Sequence, residues 1–213
     1  MATDGGRHSG GDPSGGSRPR KPTPAERRAQ RAEVDDPAQV LEAGARFLEA
    51  RHRSVAEVRR KLTTLGYRGD LVTDAVERLA ELGYLDDDAF ARAWVESRDR
   101  AKPRGEHALR RELGQKGVDR SLIDTVLDDR RVDATLATGE AEDAPVSADE
   151  AAAERLLAKK LPAIRRESDP RRRLQRAYGL LARNGFGPDV CSSVSKRLLG
   201  EADDDERDAG ERD

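Results

Sequence analysis

The chain has 213 residues, 38% of them charged and only 3% aromatic, with a formal net charge of −2. That much charge with so few large apolar side chains excludes one thick globular core and leaves thin helical layers with solvated faces. The single cysteine, Cys191, excludes an internal disulfide framework and a multi-thiolate metal site. No apolar run reaches the roughly 20 residues of a membrane span and no apolar leader opens the chain, so a cytoplasmic location is expected.

Residues 1–35 are rich in Gly, Pro, Ser and Arg and are expected to be a disordered basic tail, because they bury too little apolar surface to offset ordering entropy. Asp36-Pro37 then supplies an N-cap and a proline at the first helical position. Ser54-x-x-Glu57 is a capping box. The apolar positions Val55, Val58, Leu62 and Leu65 follow the helical period up to Gly66. Leu71, Val72, Ala75, Val76, Leu79 and Leu82 do the same up to Gly83. Each glycine is predicted to close its helix in the left-handed conformation, with the following Tyr67 or Tyr84 folding back onto the apolar stripe. Asp86–Asp88 are predicted to cap a helix that begins near Ala89 rather than to bind metal. Asp128–Pro145 reads as an acidic linker, Ser147-x-x-Glu150 as a second capping box and Asp169-Pro170 as another helix start. The acidic segment after Gly200 is expected to be disordered.

These signals repeat. Aligning Gly66 with Gly117 and Gly185 places Leu62 on Leu113 and Leu181, Tyr67 on Val118 and Phe186, and Val72 on Ile123 and Cys191. Upstream, small residues (Gly44, Ala91, Ala153), large anchors (Phe47, Trp94, Leu156) and cations (Arg51, Arg98, Lys160) keep the same order. The predicted fold is therefore all-α, an elongated array of three tandem three-helix repeats with disordered termini. The repeats span 36–85, 86–129 and 147–200, with a linker at 130–146 and an acidic tail at 201–213. Trp94, at the anchor position, is expected to serve the core rather than stack on a base.

Charge is segregated along this array. Residues 36–127 carry 17 basic and 17 acidic side chains, residues 128–154 carry 2 and 9, residues 155–199 carry 12 and 3, and residues 200–213 carry 2 and 8. A basic third repeat bracketed by acidic segments points to a polyanionic or acidic partner.

The stretch from Tyr84 to Asp124 resembles the RecX family of RecA regulators. The telling residues are Asp86–Asp88, Phe90-Ala91-Arg92, Trp94-Val95, Arg98, Lys102-Pro103-Arg104-Gly105, Leu109, Leu113 and Lys116-Gly117-Val118. The first repeat fits through Ser54, Val58, Lys61, Leu62, Gly66 and Tyr67; the third departs, with Arg173 where a serine or glycine opens the second helix, and with a long loop around Glu167–Pro170. The resemblance implies a non-enzymatic protein that binds RecA or its filament on single-stranded DNA and restrains its recombinase and ATPase activities. It implies no cofactor, metal or small-molecule substrate, and allows non-specific DNA contact. Candidate contacts are the cations of the array, Arg51, Arg98, Lys102, Arg104, Arg110, Arg111, Lys116 and Lys160. To these the basic stretch adds Arg165, Arg166, Arg171, Arg172, Arg173 and Arg176.

Catalytic equipment is not legible. His8, His52 and His107 are scattered, Cys191 takes a core position, and the Gly-rich start lacks the lysine of a phosphate loop. The alternative reading is a helix-turn-helix protein that recognises a DNA sequence. Against it, the third helix of repeat one carries Asp70, Asp74, Glu77 and Glu81, which phosphate would repel. Only Ser192, Ser193, Lys196 and Arg197 in repeat three resemble a reading helix.

Overall fold

A computed structural model describes residues 20–138 and 147–210. Helices account for all the regular structure among these residues: α1 (Pro24–Ala32), α2 (Pro37–Leu48), α3 (Val55–Leu65), α4 (Gly69–Glu81), α5 (Asp87–Ala101), α6 (Glu106–Lys116), α7 (Arg120–Thr138), α8 (Ala148–Ala158), α9 (Leu161–Ile164), α10 (Pro170–Arg183) and α11 (Pro188–Gly210). Units one and two are α2–α4 and α5–α7; unit three is α8, α10 and α11, with α9 inserted in the connection where the sequence shows only a loop.

The caps sit where the side chains predict. Asp36 and Asp169 accept from the backbone N–H two residues on, and Ser54 and Glu57 form both halves of their capping box. Ser147 accepts from the Glu150 N–H. Asp86 accepts from the N–H groups of Asp88 and Ala89, so α5 starts at Asp87, two residues earlier than expected. Gly66, Gly83, Gly117 and Gly185 all have positive φ. Behind three of them the next side chain turns inward: Val118 and Phe186 are buried and Tyr67 packs against the first core. Tyr84 does not fold back. It is 66% exposed, and Leu85 enters the core in its place, because Gly83 ends a third helix and turns the chain toward the next unit.

Three separate apolar clusters result, one per unit. The first gathers Val40, Val58, Leu62, Val72, Val76 and Leu79; the second Phe90, Val95, Leu109, Leu113, Ile123 and Leu127; the third Leu157, Leu181, Phe186, Cys191 and Val194. Ile164 of α9 also reaches the third core. The repeated small residue sits where the first helix of a unit meets its neighbours: Ala91 and Ala153 are fully buried, and a Cβ on Gly44 would lie 2.8 Å from Leu79 Cδ1, so Leu79 would have to shift.

The units join through their second helices, set end to end. Ser54 Oγ at the start of α3 donates to the Lys116 carbonyl at the end of α6 (2.6 Å), and Gly105 N at the start of α6 donates to the Asn184 carbonyl at the end of α10 (3.1 Å). Each junction satisfies polar groups that a lone helix leaves unpaired and lines up helix dipoles head to tail. An acid from the next unit completes it: Asp87 Oδ1 accepts from Val55 N (2.9 Å) and Asp149 Oδ2 from Glu106 N (3.0 Å). A Cβ on Gly117 would collide with Ala56, and one on Gly185 with Ala108.

Two expectations change. The 1–35 segment contains α1, whose Thr23–Glu26 capping box and first-turn proline organise it locally. This helix lies across Gly66, where a Cβ would come 2.7 Å from the Arg28 carbonyl oxygen. Residues 1–19 lie outside the described residues. The expected linker at 130–146 is helical as far as Thr138, because Arg130 on α7 ties unit two to unit three. It donates to both oxygens of Asp99 (2.9 Å each) and to Asp149 (2.7 Å) with its side chain 9% exposed. Residues 139–146 lie outside the described residues. At the other end α11 is helical to Gly210, and 211–213 lie outside the described residues.

Candidate partner-binding surface

Two carboxylates organise the cations of the first two units. Glu57 at the start of α3 accepts from Arg51 (3.1 Å) and Lys116 (2.8 Å). Burial raises its pKa, but the two cations outweigh that and hold it below the usual carboxylate value. Glu112 on α6 accepts from Trp94 Nε1 (2.9 Å) and Arg98 Nε (2.7 Å), with Arg104 Nε at 3.6 Å.

Trp94 is only partly buried. It stacks on Phe90 at 6.0 Å and packs against the second core, while the Arg98 guanidinium lies 4.4 Å and the Lys116 ammonium 5.0 Å from its ring centre. Phe47, its counterpart in unit one, is likewise capped by Arg53 at 4.1 Å and Lys61 at 5.5 Å. Cations thus sit over these anchors where a base would have to stack.

The structure divides the candidate cations by what they touch. Arg98, Arg104, Arg110 and Lys116 are partly buried and engaged within the fold: Arg104 also reaches Asn184 of unit three, and Arg110 pairs with Asp124 and with Glu106 (3.0 Å). Arg51 pairs with Glu57 and donates to the His52 carbonyl (3.0 Å). The aligned row of Arg51, Arg98 and Lys160 is therefore not uniform, since Lys160 is exposed and makes no ion pair among the described residues. Lys102, Arg111, Arg165, Arg166 and Arg171 are also exposed without an ion pair among the described residues. Arg172 and Arg176 hold loose exposed pairs, with Asp169 at 3.7 Å and Glu167 at 3.2 Å, and Arg173 is partly buried.

Local helix energetics do not explain the basic stretch. Arg171, Arg172 and Arg173 occupy the start of α10, whose first turn holds no acid. Cations at a helix N-terminus meet the positive end of the dipole, which disfavours each by about 0.3–1 kcal/mol. Helix energetics would favour acids there; the N-cap Asp169 supplies one, 3.7 Å from Arg172.

Among the described residues no group of three or more His, Cys, Asp or Glu side chains could hold a metal ion. His52 and His107 are exposed, and His8 lies outside the described residues. Cys191 is fully buried, and that burial pushes its thiol pKa up, away from the reactive thiolate. The helix that resembled a DNA reader is occupied from within: Ser193 Oγ donates to Glu150 (3.0 Å) and Arg197 pairs with Glu154, both on α8. On α4, Asp70, Asp74, Glu77 and Glu81 are exposed, an outward acidic face. No helix among the described residues is long and apolar enough to cross a membrane.

The residues that sequence reasoning missed are the inter-unit clamps, Asp87, Asp99, Arg130 and Asp149. A signal for two of them was present: Asp87 and Asp149 stand four residues before the aligned small residues Ala91 and Ala153.

Comparison with known proteins maps onto the same three units. Family models for the first, second and third three-helix domains of RecX match residues 41–79, 86–127 and 148–194. A regulatory protein RecX from Mycobacterium avium is 35% identical over 157 residues, covering 73% of this chain and 83% of that protein. The regulatory protein RecX of Mycolicibacterium smegmatis is 33% identical over 152 residues, covering 70% and 73%. The crystal structure of RecX from Lactobacillus salivarius superposes with a TM-score of 0.63 at 19% identity, covering 77% of this chain and 97% of that one, and so shares the fold. With every repeat unit matched in order and a third of the residues shared across most of the chain, this protein belongs to the RecX family of regulatory proteins.

Proposed function

We propose that this chain acts by binding RecA, in its filament on single-stranded DNA, and thereby restrains recombination and ATP hydrolysis in the cytoplasm. The observation that carries the reading is the match of all three units, in order, to RecX domains. The exposed cations of the array support it: Lys102, Arg111, Lys160, Arg165, Arg166 and Arg171 make no ion pair among the described residues and could meet phosphates or acidic protein surface. Three units with separate cores, stapled end to end, can touch successive parts of a repeating partner. Restraint then follows from differential affinity, since a ligand that binds one filament state better than another shifts the population toward it.

The test is RecA ATPase activity on single-stranded DNA with and without this protein. Turnover is expected to fall as the protein is added. Unchanged turnover, together with no co-sedimentation with RecA filaments, would overturn the reading. A duplex operator bound about a thousandfold more tightly than random DNA would favour the helix-turn-helix alternative instead.

A further inference from the structure

The neutral charge balance of the first two units conceals a concentration of cations at their α1 end. Three grooves succeed one another there. One, of about 600 Å³, lies between α1 and the end of α3 and includes Arg27, Arg28 and Arg31. The next, of about 520 Å³, shares Arg28 and Thr64 with it and adds Arg59 and Arg60. The third, of about 430 Å³, shares Arg60 and Thr64 and continues to Phe47, Lys61 and Lys116 of the unit one–unit two junction. Among the described residues the only acid lining the run is Glu57, which is already held by Arg51 and Lys116. Arg27, Arg28, Arg59, Arg60 and Lys61 are all exposed, and none makes an ion pair among the described residues.

We propose that this run is a binding track for the phosphate backbone of single-stranded DNA, completed by α1. Among the described residues the large exposed apolar ones, Leu82, Tyr84, Val132 and Tyr178, all lie outside it, so the track there lacks the apolar centre of a protein–protein interface and offers guanidinium forks suited to phosphate. Arg53 and Lys61 cover the Phe47 ring, so the track holds backbone rather than stacked bases. A flexible single strand can settle into successive concave grooves, whereas a duplex with a persistence length of about 50 nm would bridge them. The helix α1 lies outside the residues that the RecX domain models match, and it supplies two of the five exposed cations. The inference deepens the filament reading by naming the DNA strand as ligand of this end of the array.

The experiment is fluorescence anisotropy of a labelled oligothymidylate with the full-length protein and no RecA, over a range of salt. Replacing Arg27, Arg28, Arg59 and Arg60 together by Ala is expected to weaken binding at least about tenfold at low salt. It should also reduce the slope of log affinity against log salt by about 2–3, given about 0.7 per phosphate contact. Arg27→Ala with Arg28→Ala alone should give roughly half that slope change. Three outcomes overturn the proposal: wild-type binding by the fourfold variant, an equal loss when Arg165, Arg166, Arg171 and Arg172 are neutralised instead, or duplex or polyglutamate binding as tight as that of the single strand. If the alanine variant melts early, the fourfold Arg→Gln variant replaces it: wild-type affinity and salt slope there overturn the proposal, and a matching loss of both supports it. The assay contains no RecA, so its failure is distinct from failure of the filament reading.

Discussion

Removing the Arg130 guanidinium should loosen unit three from unit two. Its side chain is 9% exposed and makes three hydrogen bonds to carboxylates, two to Asp99 and one to Asp149, with a fourth, longer one to the Ala148 carbonyl (3.4 Å). Arg130→Ala strands two carboxylates whose side chains are only 24% and 16% exposed. Breaking a fully buried ion pair from one side costs about 3–5 kcal/mol. Here the cost is smaller, because Arg155 stands 3.9 Å from Asp99, Glu106 N still donates to Asp149, and a groove lined by Asp99, Arg130 and Arg155 admits water. About 2–4 kcal/mol is expected, a large share of the stability of an ordinary domain. Arg130→Lys keeps the charge but loses the two-pronged fork and should fall between, at about 1–2 kcal/mol. Urea unfolding followed by circular dichroism measures the total. Hydrogen exchange locates it: amides of α8 should lose protection while those of α2 and α4, in a separate core, keep theirs. A change under about 0.5 kcal/mol in the alanine variant, or uniform loss of protection along the chain, would refute the clamp.

Three further outcomes follow from the same geometry. Gly83→Ala and Gly117→Ala both force an L residue to positive φ, at about 1–2 kcal/mol each. Nothing lies within 4 Å of a Cβ on Gly83 whereas one on Gly117 meets Ala56, so Gly117→Ala should lower the melting temperature clearly more; equal losses would remove the junction contact from the account. Trp94→Ala should cost about 2–4 kcal/mol in denaturant unfolding, at or below the usual range for a buried tryptophan because the residue is only partly buried, and Trp94→Phe about 1 kcal/mol through the lost bond to Glu112. Glu57 and Glu106, both at junctions, have pKa values below the 4.5 of a free glutamate: burial opposes this, but their basic partners prevail. Their stabilisation is present above pH 4.5 and is lost as the pH falls through the depressed folded values, so stability should decline on acidification below about 4.5. Glu57→Gln with Glu106→Gln should flatten that decline in a pH series of melting curves, and an unchanged slope would assign it to other carboxylates.

By itself the sequence determined the three helices of each repeat, their caps and most of each core, but not α1 or α9, which it read as a disordered tail and a loop. These features depend on interactions between near neighbours. Apolar residues three or four apart share a helix face, Asp or Ser before a helix finds the N–H two or three residues on, and only glycine closes a helix at positive φ without strain. Repetition then made the pattern legible three times over. Tertiary structure alone decided how the charges are used. Arg130 meets Asp99 across 31 residues and Asp149 across 19, so a segment that is only polar in sequence becomes the bolt between two units. Asp87 looks like a helix cap for its own α5 and instead accepts from Val55 of α3. The equal counts of acid and base in the first two units suggested a neutral surface, but Glu57, Asp87 and Glu112 are consumed by the junctions and by Trp94. What that consumption leaves exposed is a run of arginines on α1 and α3, because a side chain's charge is set by its sequence while its freedom to act is set by what folds against it.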